Sequence, residues 1–206
     1  MYKNWIFDWS GTLVDDLALV IDATNYVFRH FGVEEMDRET FRRQFQLPYT
    51  GFYEKYLPGV DLDELEPVFR EGFAKSNTEA PLLPHALEFL QFAHGKGFRM
   101  FILSSIGEDA FHLNASQLGV RPFFEHIYAG IVDKRDCISQ LLDTHQLEKS
   151  DTVFVGDMHH DVETAKFGGI SSIALLTGYN HAVPLAEAEP DMILRDLGLL
   201  QKLISS

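Results

Sequence analysis

Cysteine is all but absent: Cys137 stands alone, so no intrachain disulfide can form, which fits a reducing compartment. Positive charge is also scarce. Lys and Arg number 17 against 31 Asp and Glu, for a formal net charge of -14. That balance disfavours nucleic acid as a partner. It also means that an anionic substrate must be drawn in by a local positive field against the global one. No apolar run approaches the length of a membrane span, so no membrane partner is expected. The N-terminus lacks the layout of a signal peptide, and its apolar residues read instead as a first strand. Internal repeats and low-complexity tracts are missing as well. Together these absences point to a cytoplasmic protein, expected as a monomer or homodimer. What remains is a chain of 206 residues, 46% hydrophobic, enough for one sizeable core or a core with a smaller appendage.

The chain is organised around the stretch from Asn4 to Asp15. Trp5 to Phe7 is a short apolar run suited to a buried strand; it ends on Asp8, and Gly11-Thr12 supplies a turn. A carboxylate at the carboxyl end of a central strand can take a hard cation or attack an electrophile. The bland rival is an Asp that caps the next helix. Thr152 to Gly156 repeats the design and ends on Asp157, with Asp161 four residues on. Two acids so spaced can share one side of a strand-to-helix loop and hold Mg²⁺. Phe101 to Leu103 is a further strand, ending in Ser104 and Ser105, and Lys134 follows the apolar segment Ile127 to Val132. An acid nucleophile, a hydroxyl, a lysine and a diacid pair, each near a strand end, make a phosphoryl-transfer site.

In these motifs the chain resembles the haloacid dehalogenase superfamily, in particular its phosphoglycolate-phosphatase-like branch. The first motif of that family appears as Asp8-Trp9-Ser10-Gly11-Thr12-Leu13-Val14-Asp15 and the second as Ile102-Leu103-Ser104. Lys134 stands for the third and Gly156-Asp157-Met158-His159-His160-Asp161 for the fourth. The resemblance implies an α/β, Rossmann-like three-layer core with a mainly parallel sheet, plus an inserted small helical cap. It implies a Mg²⁺-dependent phosphatase acting on small phosphorylated metabolites, phosphoglycolate-like or sugar phosphates, through an aspartyl-phosphate. Asp8 would then be nucleophile and metal ligand, joined by the Ser10 backbone carbonyl, Asp157, and Asp161 directly or through water. Ser104 and the Ser105 N–H would hold the phosphoryl oxygens, and Lys134 would neutralise phosphoryl group and nucleophile together.

Two positions depart from the pattern. Arg135 follows Lys134 where a proline is usual, and Ser10 stands where family phosphatases carry their acid/base Asp, which sets the chain apart as an atypical member. A serine there opens two alternatives. One is a C–P bond hydrolase like phosphonoacetaldehyde hydrolase, which also needs a cap lysine; Lys55 and Lys75 are the only ones. The other is a catalytically impaired module that binds a ligand or a protein.

Residues 16–81 carry helical periodicity and no convincing strand, and Pro81-Leu82-Leu83-Pro84 marks a boundary. The expected division is a core of residues 1–15 and 82–206 and a cap of residues 16–81. From Pro84 onward helices and strands alternate, with helices expected at Asp109–Leu118, Asp136–His145 and Val162–Phe167. Thr12 reads as a turn hydroxyl that fixes the Asp8 loop, and Asp15 as satisfying polar groups where the chain leaves for the cap. His159 and His160 read as loop residues. Arg42, Arg43, Tyr49, Tyr53 and Lys55 in the cap read as surface or packing residues before substrate selectors.

Overall fold

The computed structural model describes residues 2–205. Their centre is a six-stranded, wholly parallel sheet made of β1 (Asn4–Phe7), β2 (Arg99–Leu103), β3 (His126–Tyr128), β4 (Thr152–Gly156), β5 (Ser171–Leu175) and β6 (Met192–Leu194). The strand order is β3-β2-β1-β4-β5-β6. The order reverses between β1 and β4, and open sheets of this kind place their ligand sites at the carboxyl ends of the two strands flanking that point.

Both faces of the sheet are covered, which is why its strands are apolar throughout rather than alternating. Trp5 and Phe7 of β1 face one way, with Met100, Ile102, Val153 and Val155. They pack on α5 (Ala86–Gly95), α6 (Glu108–Gln117) and α10 (Leu197–Ser205). Ile6, Phe101, Leu103 and Phe154 face the other way, onto α7 (Lys134–Thr144) and α8 (His159–Gly168). The result is the three-layer α/β architecture expected from the motifs.

Four helices are inserted between β1 and α5: α1 (Leu17–His30), α2 (Arg38–Gln44), α3 (Tyr49–Tyr56) and α4 (Leu62–Lys75). They form a helical cap with an apolar cluster of its own, built on Val27, Phe28, Phe41, Phe52 and Leu65. In α4, Gly72 lets the backbone come against Tyr26 of α1; an added Cβ would stand 2.6 Å from the Tyr26 Cβ. The cap cluster does not stop at the cap. Met158 and Tyr179, from the loops after β4 and β5, belong to it.

Two expected boundaries move, and one helix is new. α7 begins at Lys134, two residues before Asp136, because the Asp133 side chain accepts from the Arg135 N–H and caps the helix. α8 begins at His159, so His159 and His160 are helical and not loop residues. A short helix that the periodicity does not announce, α9 (Ala182–Glu187), follows β5. No described helix is long and apolar enough to cross a membrane.

Candidate active site

β1 and β4 run side by side with Phe7 opposite Val155, so the residues that follow them emerge together. The Asp8 N–H donates to the Val155 carbonyl (3.0 Å) and continues the ladder one step past the strand end. Asp8 and Asp157 therefore sit at the point where the sheet reverses its order. Asp161 joins them from the first turn of α8. Its Oδ2 accepts from the backbone N–H groups of Asp157 (3.1 Å) and Met158 (2.9 Å), which folds the loop so that the acids converge. One carboxylate oxygen from each of Asp8, Asp157 and Asp161 lies within 4.8 Å of the others, and all three residues are buried.

Lys134, at the head of α7, enters from the side. Its Nζ lies 2.8 Å from Asp8 Oδ2 and 2.7 Å from Asp161 Oδ1. Burial works against the charge of this lysine, but Asp161 and Asp8 outweigh it and hold the ammonium protonated, its pKa raised. Arg135 turns away to Asp133, so it does not compete with Lys134 for the site. Burial raises the Asp8 pKa, an effect only partly offset by Lys134. Burial pushes Asp157 well above the ordinary carboxylate range, and the neighbouring Asp161 and Asp8 push it further.

These directions bear on a cation. Three buried carboxylates face one ammonium, so full ionisation would leave two negative charges that side chains of this group do not balance. The donors are hard oxygens, the set that suits a divalent cation such as Mg²⁺ rather than a softer transition metal. The residues present thus fit a divalent metal ion. His160 is not one of its donors: its Nε2 accepts from the Lys134 backbone N–H (3.2 Å), and burial lowers its pKa to about 4. It steadies the start of α7.

Ser104 follows β2 directly, beside Asp8, and hydrogen-bonds to it, while Ser105 lies half-buried with a hydroxyl that finds no protein partner. Ser10 lies at the rim, half-buried, and its Oγ donates to Asp16 Oδ2 (2.5 Å). This corrects the expectation that a serine substitution makes the chain an atypical member. The catalytic aspartate is Asp8; it is intact, clustered with Asp157 and Asp161, and Ser10 does not stand in for it.

Around these acids, Tyr179 and Asp16 take roles that the sequence does not announce, and Thr12 and Arg42 take larger ones than expected. Thr12 does more than shape its turn: its Oγ1 donates to Asp157 Oδ1 (2.9 Å) and ties the Asp8 loop to the other strand end. Tyr179 donates its backbone N–H to Asp157 Oδ2 (2.7 Å) and its hydroxyl to Asp16 Oδ1 (3.0 Å). Asp16 is buried, and that burial raises its pKa to about 7 despite the two hydroxyl donors. Asp15, by contrast, is exposed. Of the cap residues singled out, Arg42 reaches the core, donating to the carbonyls of Tyr179 (3.1 Å) and Asn180 (3.4 Å). Tyr49 pairs with Glu66 and Tyr53 with Thr24 inside the cap; Arg43 is exposed, and Lys55 pairs with Gln44 at the surface.

Comparison with known proteins agrees with this geometry. The family model described as haloacid dehalogenase-like hydrolase matches residues 5–175. A phosphoglycolate phosphatase of Vibrio cholerae is 31% identical over 219 residues, covering 96% of this chain and 95% of the relative. One from Synechococcus elongatus is 28% identical, covering 92% and 91%. Among solved structures, a haloacid dehalogenase-like hydrolase from Streptococcus pneumoniae superposes with a TM-score of 0.84 at 25% identity, over 98% of each chain.

Proposed function

Because this chain belongs to the haloacid dehalogenase-like hydrolase family, we propose that it is a Mg²⁺-dependent phosphatase for small phosphomonoesters of the phosphoglycolate or sugar-phosphate kind. The observation that carries the reading is the position of the Asp8 carboxylate, paired with Lys134 and clustered with the carboxylates of Asp157 and Asp161. The carboxylate attacks phosphorus; the bond from phosphorus to the leaving oxygen breaks as the bond to Asp8 forms. Water then attacks the phosphorus of the aspartyl-phosphate; the bond from phosphorus to Asp8 breaks, inorganic phosphate leaves, and the proton the water loses balances the one the leaving oxygen takes from solvent. Lys134 offsets the charge that gathers on the phosphoryl oxygens, and Ser104 with the Ser105 N–H holds them. A divalent ion, when bound by Asp8, the Ser10 carbonyl and Asp157, with Asp161 beside it, neutralises the same oxygens. In this reading residues 16–81 are the cap that excludes water, and residues 1–15 and 82–206 are the catalytic unit.

The choice of substrate class draws on relatives named phosphoglycolate phosphatase. A C–P hydrolase is less well supported. Its Schiff base needs a lysine that faces the site, whereas Lys55 pairs with Gln44 and Lys75 with Glu71 and Tyr26, both exposed. The test is hydrolysis of an aryl phosphate, 2-phosphoglycolate and a panel of sugar phosphates, with Mg²⁺ and with chelator. Turnover should require the metal and vanish in Asp8→Asn. Turnover that survives both changes rejects the proposal.

A further inference from the structure

One cap side chain is connected to both members of the acid pair that follows β4. Arg42, on α2, has a side chain only 17% exposed. Its Nε donates to the Tyr179 carbonyl (3.1 Å) and its Nη2 to the Asn180 carbonyl (3.4 Å). Tyr179 holds one acid directly, and Asn180 holds the start of the helix that carries the other. The Tyr179 N–H donates to Asp157 Oδ2 (2.7 Å). Asn180 Oδ1 accepts from the backbone N–H of His159 (2.8 Å), the first residue of α8, two positions before Asp161.

The contact is not a loose surface pairing. Tyr179 and Asn180 are buried, and the Tyr179 ring packs against Phe41 of α2 (6.3 Å between centroids) and Phe45 just past its end (5.7 Å). Gly178, just before, is wedged between the Asp157 carboxylate and Gly11, where an added Cβ would stand 2.7 Å from the Gly11 Cα. The segment 178–180 therefore has little room to shift without carrying Asp157 with it. Tightly packed contacts of this kind have discrete arrangements rather than a continuum.

From this connectivity we infer that Arg42 is a positioning residue, through which seating of the cap and cation affinity at Asp157 and Asp161 are coupled. With α2 seated, the guanidinium fixes the 179–180 backbone and the two acids keep the spacing a cation needs. With α2 lifted, both carbonyls lose their donor and the Asp157 side chain loses a fixed partner. Because coupling is reciprocal, a bound cation must favour the seated cap to the same degree that the seated cap favours the cation. The inference rests on the reading of the three carboxylates as a metal site.

Two measurements on the full-length protein test it, neither of them turnover. Calorimetric Mg²⁺ titration compares the wild type with Arg42→Ala, Arg42→Lys and, as a control for charge on the same helix, Arg43→Ala. Arg42→Ala should weaken Mg²⁺ by about 5- to 150-fold, the ordinary range of coupling between sites. Arg42→Lys should fall between, since an ammonium cannot reproduce the guanidinium fork; Arg43→Ala should match the wild type. Hydrogen exchange gives the reciprocal arm. Mg²⁺ should slow exchange in residues 38–47 of the wild type and leave that segment unaffected in Arg42→Ala. Far-UV circular dichroism establishes that each variant is folded. Wild-type Mg²⁺ affinity in folded Arg42→Ala, or protection confined to the strand ends, overturns the coupling and leaves the metal site standing. A wild type that binds no Mg²⁺ overturns the metal reading and the coupling together.

Discussion

Lys134 Nζ lies 2.8 Å from Asp8 Oδ2, and the two side chains are 0% and 4% exposed. An ion pair so far from solvent is costly to break from one side only, because the remaining charge stays buried without a partner. Here the ammonium serves two carboxylates at once, since Asp161 Oδ1 lies 2.7 Å away.

Lys134→Met therefore should affect both folding and chemistry. Stability at pH 8 should fall by about 3–5 kcal/mol, the usual cost of leaving a buried charge unpaired. The loss should shrink when the pH is lowered from 8 to 5, the direction in which the raised Asp8 pKa, caused by burial, favours the uncharged acid. Turnover should fall by on the order of 10²- to 10³-fold, as when a preorganised charge-stabilising donor is removed. Urea denaturation at the two pH values, beside rates with an aryl phosphate, decides the matter. An equal loss of stability at both pH values contradicts the account of Asp8.

Asp16 gives a pH dependence with a definite sign. Its pKa, ordinarily 3.8, is raised to about 7 in the fold. Between those values the folded chain holds a proton that the unfolded chain has lost. The contribution is fully present below pH 3.8 and is lost as pH rises to 7, amounting to about 4 kcal/mol if the whole shift is expressed. Asp8 and Asp157 act in the same direction. Asp16→Asn should thus flatten the decline in stability between pH 5 and pH 8 without abolishing it. Denaturation midpoints across that range measure the slope, and a slope equal to the wild type's rules out a protonated Asp16.

The acids that end strands were legible in the sequence because strand, acid and turn are local patterns. Asp8 after Trp5–Phe7 and Asp157 after Thr152–Gly156 need no knowledge of the rest of the chain. The same holds for the helical character of residues 17–75. Asp16 is different. It reaches Ser10 only because the turn from Trp9 to Val14 doubles the chain back, with the N–H groups of Leu13 and Val14 both donating to the Trp9 carbonyl. Tyr179 reaches Asp157, and Arg42 reaches Tyr179, across 22 and 137 residues, a juxtaposition made by sheet order and cap seating rather than by spacing. Local chemistry also misled at helix starts. Asp133 caps α7 and Asp161 gathers the N–H groups before α8, so both helices begin earlier than their apolar periodicity suggests. The Ser10 expectation failed for a related reason. It judged the site by one side chain of the first motif, whereas the working carboxylate, Asp8, is positioned by the ladder to Val155 and by Lys134.

Gly178 tests whether the spacing around Asp157 is as tight as its neighbours imply. An alanine Cβ there would run into the Asp157 carboxylate and stand 2.7 Å from the Gly11 Cα, a contact with backbone that cannot swing away. Gly11 is itself held at φ +71°, a conformation that glycine adopts without steric cost, so the Asp8 loop has little freedom to retreat. Relief must come from displacing Asp157 or the 178–180 segment. Gly178→Ala should therefore lose about 1–3 kcal/mol of stability, the usual cost of forcing a methyl into a packed site. Mg²⁺ affinity should fall with it, because the displaced group is a carboxylate of the cluster. Gly95→Ala, at the end of α5 with nothing within 4 Å of the added Cβ, should be neutral or slightly stabilising. Denaturation and Mg²⁺ titration of the two variants separate crowding at the site from a general effect of losing a glycine. Full Mg²⁺ affinity in Gly178→Ala would show that segment 178–180 can move independently of Asp157, and the brace from the cap could then not act through it.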